Sequence, residues 1–223
     1  MGTARQLTIE YPPTWGGRRP GAGRKRASGV RPSTPHRTRP VHRAAHPAHV
    51  TLRAMTGVNW LRQEVAFRLL RDALAASSKR EAAFRVVHFS VQPDHVHLLV
   101  EASDRAALSR GMRSLAIRVA RAINAALGRR GRLWGDRYNR RDLTSPREVR
   151  NCLAYVLTNF KKHVRDAQGL DPCSSAPSFD GWRDAGPPDR VLQSAIGPPR
   201  TWLASKGWRR YGLLSIHEAP RSW

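Results

Sequence analysis

Two histidines one residue apart, His95 and His97, lie in the run HVHLLVE, whose alternation fits a β-strand. On a strand both imidazoles leave one face while Val96, Leu98 and Val100 leave the other. Two nitrogen ligands therefore converge, as a divalent ion requires. Alone the pattern more often describes a half-exposed histidine pair, and a third group is needed. A helix further along supplies candidates, with Tyr155 and Asn159 four residues apart and Lys162 continuing the line. That spacing turns them to one side while Val156 and Phe160 pack.

Positioning these groups takes a definite set of elements. HVTLRAM from about Pro47 is a short strand, and Trp60 to Ala75 is a helix with Val65, Phe67, Leu69, Leu70 and Leu74 at helical spacing. Phe84 to Gln92 and His95 to Glu101 form a hairpin around the tight turn at Pro93 and Asp94. Asp104 to Leu127 is a long helix with an apolar stripe from Leu108 to Ala126, ended by Gly128, with Arg110, Arg113, Arg118 and Arg121 on its outer side. Arg132 to Leu143 reads as an edge strand. Ser145-Pro146-Arg147-Glu148 is a capping box with proline at the first helical position, and it opens a helix with Val149, Leu153, Val156, Phe160 and Val164 inward. The order strand, helix, strand, strand, helix, strand, helix predicts an α+β fold, a ferredoxin-like split βαβ antiparallel sheet with one added C-terminal helix.

Composition points to the partner. The 223 residues carry 40 Lys and Arg against 16 Asp and Glu, a formal net charge of +24. The excess is mostly arginine, whose planar fork suits phosphate, so nucleic acid is favoured over a membrane surface. No acidic residue falls between Glu10 and Glu64. The Gly-, Pro- and Arg-rich stretch there reads as a flexible, disordered basic arm over 1–46, with Arg18, Arg19, Arg24, Lys25 and Arg26 tracking phosphate; the plainer alternative is a solvated linker. Arg132, Trp134, Arg137 and Arg140 mix aromatic and cationic groups as single-strand binders do, although Trp134 equally fits a core or rim position. Lys161, Lys162 and Arg165 are candidate phosphate contacts or an ordinary solvated helix end. Residues 47–165 form the expected catalytic unit, and 166–223, with four tryptophans, an irregular extension packed on it by aromatics. With no long apolar run and no charged-then-apolar start, a cytoplasmic protein is expected. Cys152 and Cys173 are too few and too far apart for a zinc ribbon or a disulfide framework.

Q-P-D before H-V-H on a hairpin, then R-L-W-G-D-R-Y, then Y-V-L-T-N, together resemble the REP-associated tyrosine transposases of the HUH endonuclease superfamily. The resemblance covers roughly residues 47–165, and the GGRRPGAGRK arm and the tail after Asp171 are similar to those of large relatives. It implies that His95 and His97 are the metal-binding pair, Tyr155 the nucleophile and Asn159 the polar group completing the metal shell. It further implies Mg²⁺ or Mn²⁺ as cofactor, single-stranded hairpin DNA of REP-type palindromes as partner, and a monomer. The chain departs from the pattern at Phe160, where relatives often carry proline, a change expected to affect helix ending. Such an enzyme would cut and rejoin DNA through a 5′-phosphotyrosine link. The competing readings are a domesticated relative that binds hairpins without cutting, an RNA-binding module, and a relaxase or rolling-circle protein. Tyr138 is a rival nucleophile with no ligand-type residue a helical turn away. Asp94, Glu101 and Asp142 all remain candidates for the general base.

Overall fold

The computed structural model describes residues 39–80, 83–162, 168–189 and 193–220. Four strands, β1 (Ala48–Arg53), β2 (Phe84–Val91), β3 (His95–Ala102) and β4 (Asn139–Asp142), alternate with α1 (Glu64–Arg80), α2 (Arg105–Ala126) and α3 (Pro146–Thr158). The sheet order is β2-β3-β1-β4 with every neighbouring pair antiparallel, which is the ferredoxin-like split βαβ arrangement. Thr51 lies opposite His97 and Arg53 opposite His95, so β1 shares its polar face with the two histidines.

Strand periodicity divides the core in two. Ala48, Val50, Leu52, Val96, Leu98 and Val100 meet Leu70, Leu74, Leu108, Met112, Leu115 and Ile123 of α1 and α2 on one face. Each fully buried Leu or Ile here contributes roughly 1.5–3 kcal/mol. Gly111 of α2 is fixed by close approach, because a Cβ there would stand 2.2 Å from the ring of Phe84. On the other face Val87 and Leu99 meet Val149, Leu153, Val156 and Leu157 of α3, together with Phe179, Trp182, Trp208 and Leu214 of the C-terminal extension. Of the tryptophans expected to fasten that extension, Trp182 and Trp208 do so, Trp202 stays half exposed, and Trp223 lies outside the described residues.

Several boundaries differ from the sequence reading. The first helix starts at Glu64 because residues 60–63 form a turn in which the Leu61 N–H donates to the Pro93 carbonyl and Arg62 reaches Asp171; Val65 faces solvent. The expected edge strand shrinks to Asn139–Asp142 plus one bridge between Ala54 and Trp134; between these pairings two residues of β1, Leu52 and Arg53, face four, 135–138, which interrupts the ladder. Packed chain begins before residue 47: His42 is buried, with Nδ1 3.1 Å from Asp142 Oδ1. The capping box is present as expected, with both reciprocal bonds between Ser145 and Glu148 made.

His88, in the β2 bulge, has its Nδ1 3.1 Å from Ser175 Oγ and its ring edge-on to Phe179. Burial pushes its pKa down from 6.5 to about 4. From pH 6.5 down to about 4 the unfolded chain therefore takes up a proton that the folded chain refuses, and stability falls with pH across that window. Denaturant titrations across it are expected to show a loss approaching roughly 3 kcal/mol from this group, absent in His88→Gln.

Candidate active site

The site lies on the sheet face that carries α3, toward the β1 side. Every residue of β2 and β3 is buried, whereas the same face of β1 is only half covered, with Arg53 exposed. Tyr155, which packs over this part of the sheet, is half-buried. His95 and His97, 7% and 4% exposed, bring their Nε2 atoms to 3.0 Å from each other. Their other nitrogens are held from behind. His95 Nδ1 is 2.6 Å from Asp94 Oδ1, and Asp94 Oδ2 accepts from Arg53 at 3.1 Å. His97 Nδ1 is 3.1 Å from His49 Nε2 and 3.2 Å from Thr51 Oγ1. A carboxylate on Nδ1 fixes the tautomer that leaves Nε2 of His95 as an acceptor, the usual outer arrangement of a metal-ligating histidine.

Tyr155 projects from α3 onto this pair, its ring edge-on to His97 at 5.0 Å and to His49 at 5.8 Å. Lys162 Nζ stands 4.6 Å from the centre of the Tyr155 ring. Burial raises the pKa of the phenol, Cys152 adds to the rise, and Arg53 opposes it. One turn beyond Tyr155, where α3 tightens into a 3₁₀ turn over Asn159–Lys162, Asn159 is 1% exposed. Among the described residues neither Oδ1 nor Nδ2 of Asn159 has a hydrogen-bond partner. A buried primary amide left in this state costs about 1–3 kcal/mol per unmatched group and calls for a ligand. The α-helix ends here, and Phe160 packs inward.

Other groups go elsewhere. Lys161 donates to the Ile216 carbonyl, and burial lowers its pKa. Glu101, on the same face as His95 but six residues along β3, is about 20 Å from it. Its carboxylate accepts from the Arg200 and Thr201 N–H groups, both at 2.9 Å. Asp142 is engaged by His42 and Arg140, leaving Asp94 as the carboxylate at the site. Tyr138 lies under the Arg39 guanidinium, 3.7 Å away. Trp134 donates its indole N–H to the Ala116 carbonyl at 2.9 Å and packs against the first core. Arg140 reaches the Pro40 carbonyl, Arg132 is exposed and Arg137 is half-buried. Arg18, Arg19, Arg24, Lys25, Arg26 and Arg165 lie outside the described residues. The sequence reading missed His49, Thr51 and Arg53. Their signal was alternation within HVTLR, which puts all three on one strand face.

Among the described residues no group of three or more His, Cys, Asp or Glu side chains is arranged to hold a metal. Two imidazoles and an amide are a different donor set, and they suit a divalent ion. Cis ligands about 2.1 Å from one octahedral ion are themselves about 3.0 Å apart, the separation of the two Nε2 atoms.

This arrangement, a paired-histidine strand facing a tyrosine helix on a split βαβ sheet, coincides with a family match. The family profile described as "Transposase IS200 like" matches residues 44–159, and the chain belongs to that family. Two solved structures are similar. One, a REP-associated tyrosine transposase bound to a REP hairpin, is 17% identical, with a TM-score of 0.49 over 58% of this chain and 74% of that chain. The other, a chain assigned as a transposase from Deinococcus radiodurans R1, is 22% identical, with a TM-score of 0.38 over 44% of this chain and 78% of that chain. No curated protein matches the chain. Among the described residues no helix is long and apolar enough to cross a membrane.

Proposed function

We propose that the chain is a metal-dependent tyrosine transposase of the REP-associated type, which nicks single-stranded hairpin DNA and transfers the strand. The observation that carries this reading is the convergence of the His95 and His97 Nε2 atoms at 3.0 Å under the Tyr155 ring; the buried Asn159 amide, one turn beyond Tyr155 and without a partner among the described residues, supports it. Membership of the IS200-like family supports the chemistry. The REP-type hairpin rests on the motifs Q-P-D-H-V-H, R-L-W-G-D-R-Y and Y-V-L-T-N.

His95 and His97, through Nε2, and Asn159, through its amide oxygen, would hold Mg²⁺ or Mn²⁺. When bound, such an ion polarises a phosphoryl oxygen and offsets charge as the bond breaks. Asp94 orients His95, and Thr51 with His49 orients His97. The Tyr155 oxygen attacks phosphorus, a phosphotyrosine P–O bond forms, and the bond to the 3′-oxygen breaks. The phenol gives up its proton and the departing 3′-oxygen gains one, so the step is balanced. Lys162, over the ring, favours the phenolate. Because the phosphodiester is conserved in the link, a 3′-hydroxyl can reverse the step and join strands.

The test is incubation with end-labelled single-stranded hairpin from the palindromes flanking its gene, with Mn²⁺, Mg²⁺ or EDTA, followed by a denaturing gel. A protein-linked band in the metal lanes and none with EDTA is expected. Hairpin binding without a band in any metal would make the chain a non-catalytic hairpin binder instead.

A further inference from the structure

The C-terminal extension carries an aromatic and arginine surface that the site described above does not use. Trp202, in the short helix α4 (Trp202–Ser205), and Tyr211, closing the 3₁₀ turn Gly207–Tyr211, are 48% and 47% exposed. Their neighbours Trp182 and Trp208 are 8% and 1% exposed. The exposed rings each carry a guanidinium, Arg210 at 4.8 Å from the centre of Trp202 and Arg147, from the first turn of α3, at 5.3 Å from that of Tyr211. Arg210 and Tyr211 are consecutive, so the two ring–guanidinium pairs, Trp202 with Arg210 and Tyr211 with Arg147, are neighbours along the chain, a row of four residues. No Asp or Glu occurs between Asp189 and Glu218, and Glu218 is spent on Arg150 at 2.8 Å. Among the described residues Arg147, Lys206 and Arg210 have no carboxylate partner.

The row is braced. A Cβ on Gly207 would stand 2.7 Å from the Trp202 ring, so the absence of a side chain lets that ring rest on the turn. Arg200 and Thr201, which lead into α4, donate their N–H groups to the buried carboxylate of Glu101 on β3. The surface is thus tied to the strand that bears His95 and His97. Along α3, Arg147 and Tyr155 are eight residues apart, about 12 Å of helix. Half-exposed rings give faces on which unpaired bases stack, and unpaired guanidiniums beside them take phosphates. A duplex keeps its bases stacked internally and offers nothing to the rings.

We infer that Trp202, Tyr211, Arg210 and Arg147 form a second nucleic-acid surface, one that holds the single strand running out of the hairpin. This rests on the transposase reading. The surface sets how the flank leaves the active site, and it gives the C-terminal extension a role in substrate binding.

The test compares the full-length protein with Trp202→Ala/Tyr211→Ala and with Arg147→Glu/Arg210→Glu. Fluorescence anisotropy is measured on a blunt hairpin, on the same hairpin with an oligothymidine flank of about eight nucleotides, and on one with an abasic flank of equal length. The wild type is expected to prefer the thymidine flank over the blunt hairpin by about tenfold, and both variants to lose that preference with blunt-hairpin affinity unchanged. In the charge variant the slope of log affinity against log salt should fall by roughly 1.4, as for two phosphate contacts on a single strand. The charge variant alters only exposed side chains, so it remains informative where the aromatic variant fails to fold. The inference is overturned if the variants keep the preference, or if the abasic flank binds as well as thymidine. Binding to anionic phospholipid vesicles that both variants lose would assign the row to a membrane surface and overturn it as well. A wild type that forms the adduct yet ignores the flank sinks this inference alone, while one that binds no hairpin sinks the transposase reading with it.

Discussion

Tyr155→Phe is expected to abolish the protein–DNA adduct, a loss of at least about 10³-fold, while hairpin affinity and folding stay close to those of the wild type. The ring packs edge-on to His97 and His49, and phenylalanine keeps both contacts. Among the described residues the hydroxyl itself makes no hydrogen bond whose loss would matter to stability. What disappears is the only phenol that, among the described residues, packs against the paired histidines. Its raised pKa makes it a poor nucleophile at neutral pH unless charge is supplied nearby, and Lys162 and Arg53 are positioned to supply part of it. The measurement is the denaturing gel, run beside a binding titration of the same preparation. An adduct persisting in Tyr155→Phe would move the nucleophile elsewhere, and Tyr138, set under Arg39, would be the next residue to replace.

Local patterns in the sequence anticipated these geometries; pairings between distant residues were not legible there. His95 and His97 share a face because strand periodicity is two, and Lys162 comes back over Tyr155 because seven residues make about two helical turns; both follow from local spacing. The Ser145 to Glu148 capping box set the start of α3 for the same reason. His49 and Thr51 were visible as a strand but not as partners of His97, since that depends on the register by which β1 meets β3, 46 residues away. Adjacent lysines were read alike, yet one step around a helical turn sends Lys162 over Tyr155 and Lys161 to the Ile216 carbonyl. The three candidate carboxylates could be ranked only from coordinates, because Glu101 and Asp142 are spent on contacts with segments 99 and 100 residues away. Trp134 illustrates the ambiguity of aromatic residues near arginines, for an indole in a position that suits base stacking donates instead to the Ala116 carbonyl of α2.

The other large effect concerns stability and lies behind the site. Asp171 is fully buried and takes the Arg62 guanidinium in a two-pronged grip, Nη2 to Oδ1 at 2.7 Å and Nη1 to Oδ2 at 3.0 Å. Arg62 Nη1 also donates to the Val91 carbonyl at 2.7 Å, and Asp171 Oδ1 accepts from the Cys173 N–H at 3.0 Å. The Asp171 bond raises the pKa of Arg62. The clamp seats residues 173–175 along the outer edge of β2, where the Val91 N–H donates to the Cys173 carbonyl and the Ser175 N–H to the Phe89 carbonyl. It thereby covers an edge that would otherwise expose unpaired backbone groups. It also fixes the turn next to Leu61, whose N–H holds the Pro93 carbonyl just before Asp94 and His95. Asp171→Ala leaves a half-buried cation and a backbone N–H without their acceptor, and denaturant unfolding should show a loss of about 3–5 kcal/mol. Removing both charges in Arg62→Leu/Asp171→Leu should recover part of that loss, since no stranded ion remains. A loss below about 1 kcal/mol in Asp171→Ala would mean that the pair is solvated enough to behave as a surface bridge. The apolar contacts of Phe179, Trp182 and Trp208 would then be what fastens the C-terminal extension to the sheet.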